Sequence, residues 1–200
     1  GSFSNYVQSG YNHSSSLTQD GKTLIFCDEV PASLPVHCIN VQNPGNMQPQ
    51  QTFRVHPLTT PHNPYIIRNK WCVLSSYQDG LSIYDISNPS DIKLAGFFDT
   101  YPQGGANTGS YGQGAYAGNW GAYPYLPSGL IVANDMQNAV FILNPKQAYL
   151  STATISVDPL SVKENTGENV SLSTFPNPAD DFMFVNFYSH EPGTIEITNT

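Results

Sequence analysis

The chain has 200 residues, with seven Lys and Arg against fifteen Asp and Glu, giving a formal net charge of −8 and a sequence pI near 4.8. That length holds one domain with a sizeable core plus a fragment of a second, and that charge disfavours a nucleic-acid backbone or an anionic membrane as a partner. Charged residues are only 11% of the chain, Gly and Pro number 16 each, and Tyr 12 and Phe 10 supply aromatic weight, so an all-β class rich in turns is expected rather than a helical or disordered one.

The N-terminus shows no basic region leading into an apolar run, and no stretch approaches the roughly 18 uninterrupted apolar residues of a membrane span, so membrane insertion is not expected. Gly1-Ser2 reads as an appended pair, which leaves room for a natural leader upstream. A short first strand around His13 is followed by a turn at Asp20-Gly21, a strong second strand from Thr23 to Phe26, and a third from Cys38 through Val41. Asn43-Pro44 closes that third strand, and a fourth follows from Gln51 to Val55. The pattern then recurs. His62, the turn at Asn69-Lys70, Trp71 to Leu74, Ile83 to Ile86, Asn88-Pro89 and Ile92 to Phe98 make a second copy. Trp120, Ser128-Gly129, Leu130 to Ala133, Val140 to Leu143 and Asn144-Pro145 make a third.

Asn-Pro after a strand initiates a turn. A four-stranded unit recurring every 49 to 58 residues predicts blades of a β-propeller over residues 1–150, with an immunoglobulin-like sandwich as the competing fold. Propellers close with four or more blades, so three copies read as a partial propeller, continued in a longer chain or completed by another copy.

Cys27, Cys38 and Cys72 cannot all pair within one chain. Cys27 and Cys38 flank a segment carrying Pro31 and Pro35, and two readings stand: a disulfide across the hairpin, or three small buried side chains. Without a Cys-x-x-Cys pair a structural zinc site is not expected.

His13 and His62 occupy equivalent places in two repeats, and Asp28 and Glu29 end the strand that follows His13. The favoured reading gives the histidines hydrogen bonds to a neighbouring blade's backbone, with no cofactor. The alternative gathers His13, His62, Asp28 and Glu29 around a divalent metal in a central channel, as in a metal-dependent hydrolase or lyase. Trp120 replaces the histidine in the third repeat and removes a ligand from that set. No Gly-x-Ser-x-Gly, phosphate loop or dinucleotide fingerprint is present. From Tyr101 to Asn119 runs a Gly-rich loop interleaved with Tyr111 and Tyr116. Aromatic faces on an adaptable backbone suit carbohydrate or protein recognition, so Tyr101, Tyr111, Tyr116 and Trp120 are the candidate binding residues of a module that binds or scaffolds rather than catalyses.

The stretches from Pro61 to Tyr65, Gly80 to Pro89, Ala95 to Pro102 and Tyr123 to Gly129 resemble the choice-of-anchor B family, built from LVIVD-type repeats, and the likeness spans about residues 10 to 150. In the first repeat, Ala32 to His37 reads as an insertion in that pattern. The resemblance implies a secreted or surface-exposed bacterial propeller, with no established reaction to carry over.

Residues 151–172 are polar and without strong periodicity, as in a linker. Order is expected to resume in a module at 173–200, with a turn-rich entry from Ser173 to Asp181 and strands from Phe182 to Tyr188 and from Gly193 to Thr198. Pro176 and Pro178 are placed ahead of the first strand, because they cannot donate to a ladder. Phe175-Pro176-Asn177-Pro178-Ala179 resembles the entry motif of the type A sorting domain of the type IX secretion system of Bacteroidota. That resemblance implies a small β-sandwich-like module truncated after two strands, the secretion machinery as partner, and a secreted or outer-membrane cell-surface location.

Overall fold

A computed structural model describes residues 2–4, 6–104, 116–150, 171–176 and 183–188. The chain divides into two compact units, Gly1–Val157 and Asp158–Thr200. The first unit is all-β and built of propeller blades. β1 (Tyr11–Leu17), β2 (Thr23–Val30), β3 (Val36–Asn40) and β4 (Gln48–Phe53) form one antiparallel meander. β5 (Asn63–Ile67), β6 (Trp71–Ser75), β7 (Leu81–Asp85) and β8 (Lys93–Phe98) form a second. β9 (Asn119–Tyr123), β10 (Ile131–Asp135) and β11 (Val140–Leu143) make a third sheet of three strands. Among the described residues, the third sheet is followed by the short helix α1 (Lys146–Leu150).

The punctuation explains these elements. Gly21 takes a φ of 72° in the β1–β2 turn, a conformation that costs glycine little, and the Thr18 hydroxyl closes that turn by accepting the Thr23 N–H at 2.9 Å. At the first two Asn-Pro sites the asparagine side chain accepts the N–H two residues on, Gly45 at 3.0 Å and Ser90 at 3.2 Å. At the third, Asn144 accepts the Lys146 N–H at 3.1 Å and thereby caps α1, with Pro145 in the first turn. One local signal thus opens a loop in two blades and a helix in the third.

Packing between blades follows from strand parity. Cys72 and Leu74 of β6 join Ile25, Cys27, Val36 and Cys38 of the first blade in one core cluster. Trp71 and Val73, on the other face, join Ile131, Ala133 and Leu143 of the third in another. A middle blade covered on both faces needs apolar residues at consecutive positions, and all five residues of β6 are buried. The first blade's far face is covered by its own N-terminal segment, where the Tyr6 ring meets Phe26 at 5.2 Å and His37 at 4.8 Å between centroids. On the third blade Val140 and Ile142 stay exposed while Leu143 packs inward.

All three cysteines are free and buried. In the β2–β3 register Cys27 faces Val36 and Cys38 faces Ile25, so the two sulfurs lie diagonally across the ladder rather than opposite one another. The segment read as an insertion is the β2–β3 loop together with the start of β3. Its Ser33 donates its N–H to the Thr60 hydroxyl at 3.1 Å and accepts from Arg54 Nη1 at 2.7 Å, bracing the connector between the first two blades.

In the second unit β12 (Ser171–Pro176) pairs antiparallel with β13 (Met183–Tyr188), Phe175 opposite Phe184 and Pro176 opposite Met183. The first four residues of the turn-rich entry expected from Ser173 to Asp181 are therefore part of a strand, which begins at Ser171, inside the segment read as linker. Pro176 is tolerated because it ends the strand. Asn177, Pro178 and Ala179, the strand expected from Gly193 to Thr198, and residues 151–170 lie outside the described residues.

Candidate functional site

The first strands of the blades, β1, β5 and β9, pack side by side, β5 against both neighbours. His13 lies on β1, His62 immediately before β5 and Trp120 on β9, so the equivalent positions of three repeats meet at one edge. Glu29 reaches the same place from β2. Its neighbour Asp28 does not, because successive side chains of a strand point to opposite faces. Asp28 is fully buried and accepts from Tyr6 Oη at 2.8 Å, the Gly10 N–H at 2.7 Å and Asn12 Nδ2 at 3.3 Å. Of the four residues proposed around a metal, the structure brings together His13, His62 and Glu29 and gives Asp28 a separate task.

His13 Nδ1 lies 3.3 Å from Glu29 Oε2, and His62 Nε2 lies 3.8 Å from Glu29 Oε1. The two imidazole rings stack, with centroids 4.3 Å apart and planes 19° from parallel. His62 is almost wholly buried, whereas the His13 side chain is 28% exposed. The group therefore has a closed side and a solvent side.

Trp120 contributes to this group through its backbone. Its carbonyl oxygen lies 2.5 Å from His62 Nδ1 and also accepts from Asn63 Nδ2 at 3.1 Å. His62 Nδ1 sits between that carbonyl, which can only accept, and the Asn63 amide nitrogen 2.8 Å away, which can only donate, so the two contacts call for opposite tautomers of the ring. Burial lowers the His62 pKa below the ordinary histidine value; the Trp120 carbonyl opposes that shift, His13 adds to it and Glu29 opposes it. The neutral ring is the favoured form, and its buried Nε2 has no hydrogen-bond partner.

Tyr77, which the sequence reading did not single out, donates its hydroxyl proton to Glu29 Oε1. Burial and that bond push its pKa well up, so it remains a donor. Its position is held by the backbone: Tyr77 and Asn119 exchange N–H···O bonds of 3.2 and 2.9 Å, bridging the second and third blades. Gly118, at φ 107°, makes room for this bridge, since a Cβ there would lie 2.4 Å from the Tyr77 carbonyl oxygen. No local motif marks Tyr77, because its partners are 48 and 42 residues away in sequence.

Of the candidate binding residues, Trp120 and Tyr116 stand at this site, and both are exposed, at 47% and 42%. The Trp120 ring lies 4.5 Å from that of His62 and 6.1 Å from that of Tyr77. Tyr116 packs edge-on against Tyr77 at 5.5 Å, and its hydroxyl donates to the Glu29 carbonyl at 3.3 Å. Tyr101 is tied to its own turn by donating its N–H to Asp99, and Tyr111 lies outside the described residues. The arrangement offers two imidazoles and a carboxylate within one small space, edged by aromatic faces on the solvent side.

Fold and site together define an all-β protein of propeller blades with a polar, aromatic-edged site where its first strands meet. No family model matches the sequence, and comparison with curated proteins gives no match. Among solved structures, the periplasmic gluconolactonase PpgL of Pseudomonas aeruginosa is similar with a TM-score of 0.42 and 14% identity, over 87% of this chain and 49% of that one. The chain thus spans about half the length of that protein.

Proposed function

We propose that the blades form the ligand-binding module of an exported protein and that the second unit carries the signal for its export through the type IX secretion system to the medium or the cell surface. The observation that supports binding is the pair of exposed rings, Trp120 and Tyr116, standing over buried polar groups at the junction of three blades. Rings held from behind lose little freedom when a ligand stacks on them, and polar groups beside them fix its orientation. A carbohydrate fits this chemistry, offering apolar ring faces to the aromatics and hydroxyls to Glu29 and His13. The export reading is supported by the resemblance of Phe175-Pro176-Asn177-Pro178-Ala179 to the sorting-domain entry motif.

Tryptophan fluorescence tests the binding reading directly. Of the two tryptophans, Trp71 is buried and Trp120 is exposed, so a response to an oligosaccharide panel reports on Trp120. Replacing an aromatic anchor by alanine costs about 2 kcal/mol or more in an established binding site, so Trp120→Ala, followed by calorimetry with the responding sugar, should weaken binding by about 30-fold. A panel without any response, or a Trp120→Ala protein binding as tightly as wild type, refutes the proposal.

A further inference from the structure

Among the described residues, the His13, Glu29 and His62 group is a place where an incompletely bonded buried nitrogen stands beside other possible metal ligands. His62 Nε2 is buried, has no hydrogen-bond partner, and lies 3.8 Å from a carboxylate oxygen of Glu29. A buried nitrogen left without a partner beside a carboxylate is costly, and a positive centre between them would satisfy both. A second feature points the same way. The Trp120 carbonyl meets Nδ1 and orients the ring, which is how histidines that bind metals are commonly set from behind. Glu29 is oriented similarly by the Tyr77 hydroxyl.

We propose that His13, Glu29 and His62 bind a divalent first-row transition metal ion of the zinc type. This inference does not rest on the ligand-binding reading. The ligand atoms all lie within 4.8 Å of one another. Zinc bonds to imidazole nitrogen and carboxylate oxygen are about 2.0–2.2 Å, which places two tetrahedral ligands about 3.4 Å apart. His13 Nδ1 lies 3.3 Å from Glu29 Oε2 and His62 Nε2 lies 3.8 Å from Glu29 Oε1, so each imidazole is near that distance from one of the two carboxylate oxygens. Two nitrogens in a set of three select against calcium and magnesium, which take oxygen. The buried Tyr77 ring, 4.8 Å from the His62 ring, crowds the closed side, and the exposed Trp120 ring, 4.5 Å from it, edges the solvent side. The solvent side beside His13 is left for a fourth ligand, a water or an oxygen of a bound molecule. Because both imidazoles must be neutral to ligate, affinity falls as the pH is lowered.

Calorimetric titration of the metal-stripped full chain with zinc tests the proposal, with cobalt as a spectroscopic substitute. One zinc should bind per chain, and cobalt should show the intense visible bands of a four-coordinate site. Loss of a residue behind a ligand costs about 10–100-fold in affinity, so loss of a ligand in Glu29→Gln or His13→Ala should cost at least about 100-fold. His13 is partly exposed, and glutamine keeps the shape and the Tyr77 bond of Glu29, so both variants should fold. If either does not, X-ray absorption at the zinc edge of the loaded wild type decides the matter, since two imidazoles must be present in the first shell. Absence of stoichiometric binding, zinc affinity unchanged in both folded variants, or fewer than two imidazoles at the metal overturns the assignment.

Discussion

Gly80 and Gly21 share a φ of 72° and differ in their surroundings, so together they separate backbone strain from crowding. A Cβ on Gly21 meets nothing within 4 Å, whereas one on Gly80 would lie 2.3 Å from the Phe98 carbonyl oxygen, 2.7 Å from the Thr100 nitrogen and 2.9 Å from the Asp99 Cα. These are backbone atoms of the connector leading to the third blade, held on one side by β8 and on the other by the Thr100 hydroxyl, which donates to Asp135 at 2.8 Å. They cannot swing away as a side chain would. The left-handed conformation costs alanine about 1–2 kcal/mol, partly offset by about 0.4–1 kcal/mol from the reduced freedom of the unfolded chain. Gly21→Ala should therefore destabilise by about 1 kcal/mol. Gly80→Ala adds overpacking of about 1–3 kcal/mol, for a total near 3 kcal/mol. At about 2–4 °C per kcal/mol for a unit of this size, Tm should fall by about 2–4 °C for Gly21→Ala and about 6–12 °C for Gly80→Ala. Trp71 and Trp120 are the chain's two tryptophans, and both lie in the blade unit, so fluorescence-monitored melting reads that unit alone. Equal shifts for the two variants, or a larger one for Gly21→Ala, would show that the connector does not press on Gly80.

Burial holds the His37 imidazole below its ordinary value of 6.5, against the opposing pull of the Asp28 carboxylate and a backbone bond at Gln8. The folded state thus prefers the neutral ring, so this contribution to stability is present above the unfolded value and lost as the pH falls through the lower folded one. His37→Phe, which preserves the stack on Phe26, should flatten the decline of Tm between about pH 7 and 5; an unchanged slope refutes the account. A complete module beginning at Ser171, fused to an unrelated leader-bearing protein, should carry it across the outer membrane of a bacterium with the type IX system. Retention in the periplasm beside an exported control would rule out the sorting role.

The strands legible in the sequence are those whose burial is written into consecutive residues. Trp71-Cys72-Val73-Leu74 stands out because β6 is covered on both faces, and the Asn-Pro turns stand out because their chemistry is local. β4 was misplaced by a few residues, expected from Gln51 to Val55 and found at Gln48–Phe53. It is an outer strand, largely exposed, and backbone pairing rather than burial sets its ends, so Pro49 is tolerated within it. The start of β3 was hidden inside an apparent insertion, since Val36 and His37 pair with Cys27 and Phe26 across a long loop. At the site, His13 and His62 could be found by their equivalent places in two repeats. The choice between Asp28 and Glu29 could not be made from composition, because it depends on strand parity and on a register that shifts on both sides of Asn12.

Comparison of the three blades separates scaffold from chemistry. Asp28, Asp79 and Asp135 lie at or just beyond the later part of the second strand of each blade, and all three are buried. Each meets the chain arriving at its blade: Asp28 takes Tyr6 and Gly10, Asp79 sits 2.9 Å from His56, and Asp135 takes Thr100. A buried carboxylate is tolerable when it is hydrogen-bonded in this way, and its recurrence marks it as part of the repeated framework. Glu29 has no such recurrence, because the residue after Asp135 is Met136 and the residue after Asp79 is Gly80. The third blade likewise presents Trp120 where the first two present histidine. The cluster at the blade junction is therefore assembled from departures from the repeat: a glutamate in one blade, a backbone carbonyl standing in for a third imidazole, and a tyrosine held at φ 40° by a bridge to the next blade. A buried aspartate recurs in each blade with its own partners from the arriving chain, and the residues that break the pattern gain a shared position from which they can act together.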